Sequence, residues 1–66
     1  MKNILKNERI KKEFTQVELA ELVNVSRQTI ISIESGRYIP SVLLAIKIAK
    51  KLDKKVEDLF QIEKSD

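Results

Sequence analysis

The sequence predicts an all-α fold of five short helices, and three observations point to it. One Gly and one Pro interrupt 66 residues, which favours helices joined by short connections. Apolar residues recur at helical spacing in short segments, as in Leu19, Ala20 and Val23. Residues that cap helix starts, Thr15 and Ser26, precede two of those segments, and Pro40-Ser41 opens another.

The elements follow in order. Leu5, Arg9 and Lys12 are spaced for one face of a first helix, with Ile10 offset, ending near Glu13. Thr15 and Glu18 form a capping-box pattern that opens a second helix, Gln16 to about Val23. Asn24 sits at a corner, where a left-handed backbone is needed and Asn tolerates it. Ser26 caps a third helix, Arg27 to about Ser35, with Ile30 and Ile33 inward and Gly36 as its stop. Pro40-Ser41 opens a fourth, with Val42, Ala45, Ile46, Ile48, Ala49 and Leu52 inward. Asp53-Lys54-Lys55 is a turn, and Val56 to Leu59 a short fifth helix. Phe60 to Glu63 alternates apolar and polar, which reads as a short strand. Its unclaimed partner is Lys2-Asn3-Ile4, so the two ends would form a small two-stranded antiparallel sheet.

Composition narrows the function. With no Cys and no His, the commonest general base and the commonest zinc ligands are missing, and only Ser–Lys or carboxylate pairs remain for catalysis. No Gly-rich loop or paired-acid spacing is present, so neither an enzyme nor a metal or cofactor site is expected. No apolar run approaches the roughly 18–20 residues that span a bilayer. A cytoplasmic protein with no membrane partner is therefore expected. The net charge is +3 and the pI about 9.3, a mild bias towards nucleic acid. Lys2, Lys6, Arg9, Lys11 and Lys12 weight one end, while Glu57, Asp58, Glu63 and Asp66 weight the other. At this length folding buries only about 60% of the unfolded surface, which favours self-association.

Gln16 to Gly36 holds the most specific signal. Two helices joined by a three- to four-residue turn form a helix-turn-helix, here over about 16–35 of a single domain spanning 1–66. Ala20 is small where the helices cross, Asn24 accepts the corner, and Val25 and Ile30 plug the core. The alternative is a plain helical hairpin in a small bundle.

The segments Thr15-Gln16-x-Glu18-Leu19-Ala20, Val25-Ser26-Arg27-Gln28-Thr29-Ile30, Ile33-Glu34-x-Gly36-Arg37 and Ile39-Pro40-Ser41 carry a resemblance. Together with Glu57-Asp58-Leu59-Phe60-Gln61, they resemble the Cro/cI-type, xenobiotic-response-element-like helix-turn-helix regulators, in their short single-domain subgroup. The resemblance implies a lambda-repressor-like five-helix domain that binds double-stranded DNA. Arg27 and Gln28 would reach base edges, with Thr29, Ile31 and Ser32 behind them. Phosphate contacts would fall to Gln16, Ser26, Ser35, Arg37, Tyr38 and Ser41, although Ser26 and Thr15 are caps first. Arg9 and Glu34 match a family ion pair that orients the reading helix. Lys47, Lys50, Lys51, Lys54 and Lys55 read as a solvated face.

A homodimeric repressor on a palindromic operator is the expectation, because one such domain reads few base pairs. Ile4, Leu5, Leu59, Phe60 and Ile62 are the candidate dimer contacts, from terminal elements 2–5 and 59–63; the alternative is that they close the monomer core. A protein-interaction module of the same fold, of antitoxin, coactivator or restriction-controller type, is the second function class. The sequence departs from the family at Glu8, usually Leu; at Glu13 and Asn24, usually Gly; and at Lys55, usually Ser or Thr. Leu43 and Leu44 read as an exposed apolar pair.

Overall fold

A computed structural model describes residues 1–66. The order is β1 (Lys2–Asn3), α1 (Leu5–Lys11), α2 (Gln16–Leu22), α3 (Arg27–Glu34), α4 (Val42–Leu52), α5 (Val56–Leu59) and β2 (Phe60–Gln61). β1 and β2 pair antiparallel, with Lys2 opposite Gln61 and Asn3 opposite Phe60. The two ends of the chain are thereby stitched over one hydrophobic core.

Local chemistry sets the helix starts. Glu18 donates its backbone N–H to Thr15 Oγ1 at 3.0 Å, and Thr15 N–H reaches Glu18 Oε1 at 2.9 Å, a complete capping box. Ser26 accepts from Thr29 N–H at 3.2 Å and Ser41 from Leu44 N–H at 3.2 Å. Lys55 gives α5 no side-chain cap, and that helix makes only one turn.

The helix ends share one device. In α1 the N–H groups of Glu13 and Phe14 bond to the carbonyls of Ile10 and Arg9. In α2 Asn24 and Val25 bond to Glu21 and Ala20; in α3 Gly36 and Arg37 bond to Ile33 and Ser32; in α4 Asp53 and Lys54 bond to Lys50 and Ala49. Each is a Schellman stop with one left-handed residue, at φ of 62° for Glu13, 60° for Asn24, 80° for Gly36 and 55° for Asp53. Around Gly36 a side chain would have room, since the nearest atom to an added Cβ is Met1 O at 4.0 Å. The backbone angle, not crowding, favours glycine there.

The core comprises thirteen buried apolar residues contributed by α1–α5 and β2. Leu5, Leu19, Ile30, Ile33, Ile48, Leu52 and Leu59 are fully buried. The structure corrects several sequence expectations. Helix α1 ends at Lys11, two residues early, because Glu13 is already left-handed. Its inner face carries Leu5, Glu8 and Arg9, and Lys12 is exposed. In α4 Leu44 is buried at 8% exposure, whereas Val42 is 77% exposed and Ile46 is also exposed. The helix is therefore rotated from the expected phase, and Leu43 alone of the expected exposed pair faces out. Leu5, Leu59 and Phe60 close the monomer core and present little or nothing to a partner, so of the five candidate dimer residues only Ile4 and Ile62 are exposed.

Glu8 is buried on the inner face of α1. Lys11 reaches it at 3.0 Å and Lys54, from the α4–α5 turn, at 3.5 Å. The hydrogen bond from Lys11 holds the Glu8 carboxyl below its ordinary value of 4.5, with both lysine charges adding to the effect and desolvation opposing it. A lowered folded-state value stabilises the fold above the ordinary value, and that stabilisation is lost as pH falls through the folded one. The difference in melting temperature between wild type and Glu8→Gln is expected to shrink below about pH 4.5; thermal melts from pH 7 to pH 3 measure it. Glu13→Gly is expected to stabilise by about 0.5–1 kcal/mol, because a left-handed non-glycine costs ~1–2 kcal/mol and glycine's unfolded-state freedom returns only part of it. Urea unfolding with an unchanged m-value reads this out.

Candidate nucleic-acid interface

Helix α3 has two different faces. Ile30 and Ile33 anchor its back in the core, while Arg27 and Gln28 stand exposed on its first turn. Thr29, Ile31 and Ser32 are half-buried and lie closer to the neighbouring elements. Gln28 Nε2 donates to Ser32 Oγ at 3.4 Å, one turn on. Thr29 Oγ1 lies 3.0 Å from Ser26 Oγ. The N-terminal turn of α3 is thus a small polar platform on a rigid apolar base.

The tilt of that platform is fixed by a polar hub. Arg9 Nε donates to Glu34 Oε2 at 2.6 Å and Arg9 Nη2 to Glu34 Oε1 at 3.4 Å. Arg9 Nη1 also donates to the carbonyl of Phe14 at 2.8 Å. Both side chains of the ion pair are buried, at 9% and 6% exposure. Gln16 Nε2 joins them, donating to Glu34 Oε1 at 3.1 Å. The hub therefore connects α1, the connection after it, the first residue of α2 and the last residue of α3. An amide nitrogen has two hydrogens, so Gln16 keeps one donor for a second acceptor while Glu34 holds the other.

Beyond α3 the polar residues are also ordered. The Ser35 hydroxyl donates to the Ser32 carbonyl at 3.0 Å and accepts from Arg37 Nε at 3.1 Å. The guanidinium of Arg37 is thus anchored at one nitrogen and free at the others. Tyr38, Ser41 and Thr29 line one groove of about 340 Å³ beside the Asn24–Val25 corner. Ser41 uses its oxygen as a helix-cap acceptor, which leaves its hydroxyl hydrogen free to donate, whereas Ser26 Oγ both caps α3 and shares a hydrogen bond with Thr29 Oγ1.

Sequence reasoning missed two residues. Lys47, assigned to a solvated face, is half-buried in the same groove as Tyr38 and Ser41. Nothing in a run of five lysines marks one as different. Asn3 accepts from Leu5 N–H at 3.1 Å and donates to the carbonyl of Ile33 at 2.8 Å. It bonds the first N–H of α1, whose N-cap residue is Ile4, and holds the end of α3 at once. An Asn side chain readily bonds the backbone N–H two residues on, a turn signal that was available.

A positive residue at the leading turn, a buried back and ordered polar flanks form the arrangement a helix needs to enter a DNA groove. The helix-turn-helix family model matches residues 5–59, most of the chain. The chain belongs to the Cro/cI-type helix-turn-helix family. It is similar to two proteins described as uncharacterized HTH-type transcriptional regulators. One is YgzD of Bacillus subtilis, 48% identical over 63 residues, with 96% of each chain covered. The other is MJ0272 of Methanocaldococcus jannaschii, 54% identical over 63 residues, again with 96% of each covered. Among solved structures it is similar to the restriction-modification controller protein C.AhdI from Aeromonas hydrophila, with a TM-score of 0.77, 30% identity and 85% of each chain covered. It also resembles the SOS-response transcriptional repressor LexA from Eubacterium rectale, with a TM-score of 0.79, 29% identity, 94% of this chain covered and 66% of that one. Family membership places the chain among DNA-binding transcriptional regulators, and its five helices with a two-stranded antiparallel sheet are the lambda-repressor type of that fold. No helix is long and apolar enough to cross a membrane.

Glu34→Ala is expected to destabilise the fold by about 3–5 kcal/mol, because it leaves the buried Arg9 guanidinium without its counter-charge. Chemical denaturation measures this, and an unchanged midpoint would show that Arg9 is not left as an uncompensated buried charge.

Proposed function

We propose that the protein is a homodimeric transcriptional repressor that reads a palindromic DNA operator through the major groove. The observation that carries this reading is the exposure of Arg27 and Gln28 on the first turn of a helix whose back is fully buried. An Arg guanidinium can bridge guanine O6 and N7, and a Gln amide can pair with adenine N6 and N7. Ser32, Thr29 and Ile31 serve as secondary contacts, Ile31 towards a thymine methyl. Gln16, Ser26, Ser35, Arg37, Tyr38 and Ser41 flank the helix as phosphate contacts, which position without reading sequence. Glu34 lies buried behind this surface with its charge compensated by Arg9.

The similarity to C.AhdI favours a second role on the same scaffold, that of a restriction controller. A pure protein-interaction module, by contrast, would show no steep salt dependence with duplex DNA. Footprinting on the DNA upstream of the protein's own gene, at two salt concentrations, separates DNA binding from a pure interaction module, whereas a controller role overlaps with DNA binding and is distinguished by the neighbouring genes.

Arg27→Ala is expected to cost about 1–3 kcal/mol in operator affinity and to relax preference at one base pair, whereas Gln16→Ala weakens all duplexes by a similar factor. Titration against operator and scrambled duplexes measures both. Retention of affinity and of base preference by Arg27→Ala would contradict the docking.

A further inference from the structure

Among the lysines of α4 and the turn after it, Lys47 is placed unlike the rest. Lys50, Lys51, Lys54 and Lys55 are exposed. Lys50 and Lys51 lie in the last turn of α4, where positive charge complements the helix dipole, and Lys54 pairs with Glu8. Lys47 is half-buried and takes part in no ion pair and no side-chain hydrogen bond of the chain. It lines the groove of about 340 Å³ that is shared by the Asn24–Val25 corner, the first turn of α3 and the start of α4. No Asp or Glu lines that groove, so Lys47 is its one charge, and Leu43 and Leu44 give it an apolar wall. Packing of the alkyl stem alone is enough to half-bury a lysine. It does not explain three polar neighbours that have hydrogens to give: the Ser41 hydroxyl, whose oxygen already caps α4, the Tyr38 hydroxyl and the Asn24 amide.

We infer that this groove seats one phosphate of the DNA backbone and that Lys47 is the cation that holds it. The inference deepens the proposed function and rests on its DNA reading. A backbone phosphate brings one negative charge and oxygens that only accept hydrogen bonds. An ammonium with three donors, beside hydroxyls with hydrogens to give, matches that group. A carboxylate in the lining would repel it, and none is there. A helical side chain leans towards the N-terminus of its helix, so Lys47 is directed towards the Ser41 end of α4. The apolar wall lowers the local dielectric and strengthens the attraction. The location agrees. Thr29, on the first turn of α3, lines the same groove, so the seat adjoins the turn that carries Arg27 and Gln28. A phosphate held there fixes how the leading turn enters the major groove without reading sequence.

Lys47→Met tests this, because it keeps the packing of the stem and removes the charge. Circular dichroism checks the fold, and Lys47→Gln is read in the same way if Lys47→Met does not fold. Titration against operator and scrambled duplexes over a range of KCl concentrations reads the affinity and its salt slope. Lys47→Met should weaken both duplexes by a similar factor, about 3- to 10-fold near physiological salt, and should reduce the slope by about 0.9. Lys47→Arg keeps the charge and should keep the slope. Lys50→Met makes the same charge change at an exposed position one turn on and should alter the slope far less. Duplexes with a neutral methylphosphonate at one backbone position at a time locate the phosphate: at one position the replacement should weaken wild type and leave Lys47→Met unaffected. A Lys47→Met slope equal to that of wild type overturns the inference. So does an equal loss in Lys50→Met, or a methylphosphonate series that affects wild type and Lys47→Met alike at every position. A wild-type chain that binds no duplex even at low salt overturns the DNA reading and the inference with it, whereas duplex binding with an unaltered Lys47→Met slope overturns the inference alone.

Discussion

The buried Arg9–Glu34 ion pair is the constraint on which the rest of the structure depends. The core is small, and apolar contacts alone permit helices to slide and rotate. A bidentate guanidinium–carboxylate pair does not, because its geometry is directional. Arg9 reaches Glu34 with Nε and Nη2 and the Phe14 carbonyl with Nη1, so one side chain fixes α1 against both the α1–α2 connection and the end of α3. Gln16 adds the start of α2. Desolvation offsets much of the attraction within such a pair, so its value lies more in setting one arrangement than in net stability. Asn3 holds the other side of the same helix end through the Ile33 carbonyl. The C-terminal half of α3 is thereby gripped from β1 and α1, while its N-terminal turn is left free to project.

A second constraint is the repeated left-handed stop. Four helices end in the same hydrogen-bond pattern, and the connections between α1, α2 and α3 are short because each stop reverses the chain within a few residues. Two of these stops were legible. Gly36 and Asn24 are residue types that favour the left-handed region, so their positions announced themselves. Glu13 was not legible, since its residue type gives no sign of a positive φ. It adopts one because Ile10 and Arg9 carbonyls need partners and the N–H groups of Glu13 and Phe14 supply them only in that geometry. Backbone satisfaction overrode the intrinsic preference of the side chain.

The remaining disagreements between sequence and structure have a common cause. Residues 42–46 are five consecutive apolar positions. Such a run contains no phase information, because every face of the helix is equally apolar. The outer face was therefore set by packing: Leu44 turned in, and Val42 and Ile46 turned out. Glu8 shows the same dependence on distant contacts. In sequence it weakens an amphipathic stripe; in the fold it is buried and paired with Lys11 at 3.0 Å and with Lys54, from the α4–α5 turn, at 3.5 Å. Where a segment had a single apolar stripe and a cap, as in α2 and α3, sequence placed the start to the residue and the end to within one. The exposed Arg27 and Gln28 were legible for that reason, and the grooved placement of Lys47 was not.

The polar interface is organised before any ligand arrives. Gln16 is held by Glu34, Ser35 by the Ser32 carbonyl, and Arg37 by Ser35. On the proposed reading these are the positioning contacts, and ordering them in advance removes part of the entropy that binding would otherwise cost. The Gln28–Ser32 contact is different. At 3.4 Å it lies beyond the preferred hydrogen-bond range, so it is easily exchanged for a base edge. On the proposed reading, ordered phosphate partners combined with loosely held readers position the domain on a duplex, and firm binding follows only where the bases return the hydrogen bonds that Arg27 and Gln28 offer. Specificity then comes from the few side chains not already committed, and the buried hub determines which side chains those are.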